Sequence, residues 1–144
     1  MKTEKEVLSL IAGLNPDEFT PYGWYNSEGD AAEFYWLNED YSVDYVDEHL
    51  SIFRSTSDPG RFVGCAVKHL QRDLLKVSPT RESAMVLVSG QTAKVSVFLM
   101  GAWWMESVHV EAGPPGEVKK IYADLWDMYG EVTVPFRGLT PALT

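Results

Sequence analysis

The sequence predicts an α+β fold: a largely antiparallel sheet of about seven strands with an N-terminal and a C-terminal helix packed on it, in a single globular domain over residues 1–144. Three observations point there. Short runs of alternating apolar and polar residues recur from Glu33 to Pro135, separated by Asn, Asp, Gly and Pro. Apolar residues at helical spacing occupy one run near each end of the chain. A chain of 144 residues can bury roughly 68–70% of its unfolded surface, so a core needs no disulfide or metal to hold it.

Thr3 followed by Glu6 has capping-box spacing, and Val7, Leu8, Leu10, Ile11 and Leu14 supply the apolar stripe of a helix over residues 4–12. Residues 15–32 hold two prolines and two glycines among Phe19, Tyr22, Trp24 and Tyr25. That punctuation predicts an ordered loop draped over the sheet, its aromatics closing a core edge or forming a binding rim. Strands are expected at residues 34–37, 41–45, 50–52 and 63–67, the last with Val63, Cys65 and Val67 on one face. Residues 38–40, 47–48 and 56–60 are their turns, and Gly64 inside a strand signals a bulge or a close backbone approach.

After His69 a short helical turn precedes Pro79. Three more strands are expected at residues 84–88, 94–100 and 105–110, because Val95, Val97 and Leu99 alternate with Ser96 and Phe98. Ser89, Gly90 and Gln91 read as a hairpin turn, and Gly101 with Trp103 and Trp104 as a bend. Gly113-Pro114-Pro115-Gly116 is a firm stop. Beyond it Val118, Ile121, Tyr122, Leu125, Trp126 and Tyr129 share one face of a helix over 117–129, with Gly130 as its C-terminal cap. Residues 131–135 form a last strand, placed at an edge because Pro135 cannot donate to a ladder.

The net charge of −9 is unevenly laid out. Residues 6–53 hold eleven acids and no Lys or Arg, whereas the rest of the chain holds ten acids and twelve bases, so the sums are −11 and +2. A field of that sign repels nucleic-acid phosphates and anionic lipid, and no basic patch overrides it, so direct binding to either is disfavoured. No apolar run approaches the ~18 residues of a membrane span. The N-terminus lacks the features of a signal peptide, and the single Cys65 cannot form an internal disulfide, which together predict a cytoplasmic protein.

Catalytic motifs are sparse. His49, His69 and His109 are far apart in sequence and show no metal-ligand spacing, although Cys65 or Asp47 could complete a site if the fold gathered them. Cys65 lies between valines on a predicted core face, which suits packing better than nucleophilic chemistry. No nucleophile elbow or phosphate-cradling loop occurs. Neither a catalytic residue, a metal ligand set nor a cofactor is therefore expected.

What remains is an acidic, aromatic surface within residues of about 17–54, with Trp24, Tyr25, Trp36, Tyr41, Asp44, Tyr45, Asp47 and Glu48 as candidate binding residues. Such a surface fits recognition of a basic protein partner by a small non-catalytic binding or regulatory protein, the field speeding encounter and the rings anchoring the complex. The alternative is a small-molecule-binding protein or hydrolase using carboxylates and aromatics of the same surface. A third reading is a homo-oligomer joined through exposed tryptophans.

Overall fold

The computed structural model describes residues 19–76, 91–109 and 115–138. In chain order these form strands β1 (Tyr22–Asn26), β2 (Ala31–Tyr35), β3 (Tyr41–Asp47), β4 (Leu50–Ser55) and β5 (Phe62–Val67), then a 3₁₀ turn at Leu74–Lys76. Strand β6 (Thr92–Lys94), helices α1 (Val95–His109) and α2 (Gly116–Leu125), a π-helical turn at Trp126–Gly130 and strand β7 (Thr133–Arg137) follow. The α+β class and the mostly antiparallel seven-stranded sheet are as the sequence predicts. The expected N-terminal helix at residues 4–12 and the strand at 84–88 lie outside the described residues. Both described helices come after the first six strands, and neither is long and apolar enough to cross a membrane.

The sheet order is β3-β4-β5-β2-β1-β7-β6, antiparallel throughout except for the β1–β7 pair. Of the loop expected at 15–32, residues 15–18 lie outside the described residues, and Tyr22–Asn26 is instead strand β1, because Tyr22 and Trp24 alternate with Gly23 and Tyr25 and so furnish a buried side chain to each face. Asn26 holds the following turn, its Oδ1 accepting the backbone N–H groups of Glu28 and Gly29 at 3.2 and 3.4 Å. Strand β7 is not at an edge: it lies between β1 and β6, and Pro135 sits opposite Thr92, outside the stretch that pairs with β1.

The largest departure from expectation is α1, where two strands were predicted. Val95, Phe98, Leu99 and Ala102 are all fully buried, at intervals of three, four and seven residues, which is helical spacing. The alternation of Val95, Val97 and Leu99 is incidental, since Met100, Trp103, Trp104 and Met105 make the run apolar on every side and hide the helical stripe. Gly101 is a buried position within the helix, not a bend. The predicted C-terminal helix is present as α2, its last turn widened to π geometry at Trp126–Gly130.

Both helices pack on one face of the sheet. Phe34 of β2, Phe98 of α1 and Phe136 of β7 form a ring triangle with centroids 5.6–5.8 Å apart. Trp36 stacks on Tyr129 at 3.8 Å with planes 3° apart, tying the end of β2 to the π turn. The opposite face carries a second cluster of Tyr22, Tyr35, Phe53, Val63 and Ala66. Val63 belongs there, and not with Cys65 and Val67, because it is the extra residue of a bulge: Phe53 pairs with Gly64 while Arg54 pairs with Phe62.

Gly64 is the close approach the sequence suggests. A Cβ at this position would lie 2.0 Å from the carbonyl oxygen of Phe34, a backbone atom of the neighbouring strand that no rotamer change can move. Gly64→Ala is expected to lower unfolding free energy in urea by about 1–3 kcal/mol or more. Gly60→Ala, whose new Cβ would meet only the Asp58 carboxylate at 3.4 Å, should stay near wild type in the same assay.

Candidate functional site

The polar groups converge at the β3–β4 hairpin. Val46 is an extra residue in β3, since Tyr45 pairs with Ser51 and Asp47 with Leu50, and this bulge turns Asp47 toward the helical layer. There Asp47 Oδ2 accepts the Tyr122 hydroxyl of α2 at 2.9 Å, while Oδ1 accepts the backbone N–H of His49 at 2.8 Å. Burial raises the Asp47 carboxyl above its ordinary range, the hydrogen bonds from His49 and Tyr122 oppose that, and the Glu106 charge adds to it. Burial first, and the Asp47 charge second, push the Tyr122 phenol up as well.

His49 is 2% exposed and sits between two carboxylates. Its Nδ1 lies 2.9 Å from Glu106 Oε1 on α1, and its Nε2 lies 2.9 Å from Asp73 Oδ2 in the segment after β5. The Arg72 guanidinium beside Asp73, helped by His49 itself, holds the Asp73 carboxyl down to about 2, so it is ionised. A carboxylate only accepts, so Nε2 carries the hydrogen facing it. Nδ1 is engaged by the Glu106 carboxyl at the same distance, so both ring nitrogens are occupied. His49 is thereby held on both sides by hydrogen bonds, the one to the ionised Asp73 being charge-assisted.

Asp30 positions the segment bearing Asp73. It adopts φ 50° at the end of the β1–β2 turn, and its carbonyl accepts Leu70 N–H at 2.9 Å. Its carboxylate accepts the N–H groups of Gln71 and Arg72 at 2.8 and 3.1 Å and the Tyr25 hydroxyl at 2.7 Å. His69, at φ 57°, presents its ring edge-on to His49 at 5.7 Å. Lys68 donates to the Asp47 carbonyl at 2.9 Å and rests 4.4 Å above the Tyr45 ring, and burial lowers its ammonium from the usual lysine range.

The eight candidate binding residues do not form one surface. Tyr25 and Trp36 are core residues on the helical face, whereas Trp24 and Tyr41 are half-buried against the opposite cluster. Asp47 is spent inside the cluster just described. Asp44, Tyr45 and Glu48 alone are well exposed, along β3 and its hairpin. Asp44 pairs with Arg54 at 2.6 Å and Glu48 with Arg72 at 2.8 Å, and Arg72 holds the Glu48 carboxyl below its ordinary range. Val43, absent from that set, is 60% exposed beside Tyr45 at 73%.

The sequence reading also missed His49, Asp73, Glu106 and Tyr122 as a unit. One signal was available: Glu106 is the only acid in α1, which has no Lys or Arg, and a lone charge in an apolar helix calls for an internal partner. Among the described residues no group of three or more His, Cys, Asp or Glu side chains is placed to hold a metal ion. Cys65 is fully buried and its thiol is pushed up by that burial, as befits a packing residue. The cluster binds four chain segments together: the β3–β4 hairpin, the segment after β5, α1 and α2.

Removing the imidazole leaves Glu106 without its partner and Asp73 with Arg72 alone. His49→Ala is expected to cost about 3–5 kcal/mol in urea unfolding, as for a broken buried ion pair. Because the folded-state Asp73 carboxyl lies below its unfolded value, its contribution is complete above about pH 5 and is lost as pH falls toward 2. Acid titration of stability should therefore be less steep over that window in Asp73→Asn than in the wild type.

Comparison with family models, with curated proteins and with solved structures finds no match to this chain, so the geometry of the site carries the functional reading.

Proposed function

We propose that the protein is a small, non-catalytic binding or regulatory protein that recognises a basic segment of a protein partner at the outer edge of β3. The observation that carries this reading is an edge strand with Val43 and Tyr45 exposed on one side and Asp44 on the other, between Asp40 at its start and Glu48 in its hairpin. Among the described residues β3 pairs only with β4, so its outer backbone groups are available to an added strand. Backbone bonds supply affinity in that mode, and alternate side chains supply selectivity.

Charge favours a basic partner. The net −9 accelerates encounter with a cation-rich segment and disfavours direct contact with nucleic acid. Arg54 and Arg72 each hold one carboxylate in place at the strand, leaving Asp44 Oδ1 and Glu48 Oε2 without a side-chain donor among the described residues. Lys68 above the Tyr45 ring is a cation already seated on the aromatic anchor of this surface. The hydrolase alternative has less support, since Asp47 is turned inward and Asp44 and Glu48 are separately paired with arginines. A cytoplasmic location belongs to the same proposal, consistent with a buried free cysteine.

Stopped-flow binding of a short peptide alternating lysine with valine tests the reading. The wild-type on-rate is expected to fall steeply with added salt, and the variant carrying Asp40→Lys, Asp44→Lys and Glu48→Lys to associate at least about tenfold more slowly with a flattened salt dependence. Equal on-rates and equal salt slopes in the two proteins would remove the basis for this proposal.

A further inference from the structure

We propose that the exposed face formed by α1 and α2 is a contact between two copies of this chain, packed antiparallel about a twofold axis at Ala123. The evidence is separate from that for β3. Trp103 of α1 meets Tyr122 of α2 at 5.1 Å, and beside them Leu99, Met100, Ala123 and Trp126 complete the lining of an apolar recess of about 250 Å³. Met100 is 57% and Trp104 50% exposed at its margin, with Trp126 and Met128 also open to solvent. Tryptophan and methionine are side chains that interfaces enrich, and a patch of this kind on a charged protein marks a contact site.

The charges around the recess identify the occupant. On the outer side of α2 and of the π turn that continues it, Lys119, Lys120, Ala123, Trp126 and Asp127 are all exposed. Lys120 pairs with Asp124 within the chain at 3.0 Å, whereas the side chains of Lys119 and Asp127 have no partner among the described residues. Ala123 is the midpoint of Lys119 and Asp127, and also of Lys120 and Trp126. A twofold axis at that residue sets Lys119 of each copy against Asp127 of the other, and the Lys120 stem against the Trp126 ring. An isologous contact requires such self-complementarity, with each patch meeting itself reversed. The alanine methyl at the axis lets the two helices approach closely.

The α1 side of this face adds little to the repulsion between two chains of net charge −9. Helix α1 has one acid, Glu106, which is turned inward to His49, and no Lys or Arg, so Met100 and Trp104 stand on a neutral surface.

Sedimentation equilibrium of the full chain tests the proposal, with a reversible dimer at twice the 16.2 kDa chain mass expected. Each of Lys119→Asp and Asp127→Lys alters two symmetry-related contacts and should weaken dimerisation by about tenfold. The combined exchange K119D/D127K should restore it, and Ala123→Arg, which sets two like charges at the axis, should abolish it. These positions are exposed, and a wild-type far-ultraviolet circular dichroism spectrum with a cooperative thermal melt establishes that each variant is folded. A chain that stays monomeric at every concentration leaves the recess to another segment of the same chain or to a different protein, and overturns the proposal. So does a dimer insensitive to Ala123→Arg, or one that the combined exchange fails to restore.

Discussion

The imidazole of His49, held between Asp73 and Glu106, is the constraint on which the placement of the helical layer depends. Apolar packing is non-directional, and a helix as uniformly apolar as α1 could satisfy it at many rotations about its own axis. Charge-assisted hydrogen bonds are directional, and a carboxylate that must meet one ring nitrogen at 2.9 Å admits one rotation and one height along the sheet. The second nitrogen applies the same requirement to the segment after β5, which Asp30 has already fixed from the β1–β2 turn. Asp47 extends the requirement to α2 through Tyr122. Desolvating such groups is costly, so their value lies more in specifying one arrangement than in raising stability above that of an apolar replacement.

The same cluster alters how the charge layout of the sequence should be understood. Eleven acids without a base over residues 6–53 suggest a continuous negative surface, yet the fold disperses those among the described residues. Glu33 is buried, accepting Asn26 and the Tyr35 hydroxyl at 2.9 and 2.6 Å. Asp30 and Asp47 hold backbone and hydroxyl donors. Arg54, Arg61 and Arg72 fold back to Asp44, Glu39 and Glu48. A one-dimensional count of charge therefore overstates the field at any one face; among the described residues the exposed acids of this stretch are Asp40, Asp44 and Glu48 at the outermost strand and its hairpin, and Glu28 in the β1–β2 turn.

The legible parts of the fold are those where one local signal had no competitor. Alternating residues between Asp- and Gly-rich turns marked β3, β4 and β5, and a proline-glycine stop followed by a broad apolar face marked α2. Helix α1 was obscured because its solvent-facing positions are also apolar, and alternation over five residues then matched a strand equally well. Strand β1 was obscured by the glycine and prolines around it, although Gly23 is required there: a Cβ would meet the Phe34 ring at 2.7 Å. The site was least visible, since His49, Asp73, Glu106 and Tyr122 come from four segments, and its hydrogen bonds join residues 24 to 75 positions apart along the chain. Only topology brings them together, and no spacing motif encodes that.

One consequence joins the interior cluster to the two outer surfaces. Glu106 is the sole acid of α1, and its pairing with His49 draws that charge to the inner side of the helix. The outer side of α1 is left neutral and apolar, while the acids of the hairpin stay with β3 at the sheet edge. A chain of net charge −9 thus presents, among the described residues, an apolar α1 face set apart from the acids of the sheet edge. Were Glu106 directed outward instead, the helical face would carry a symmetric pair of acids across any twofold contact, and His49 would be left with Asp73 alone.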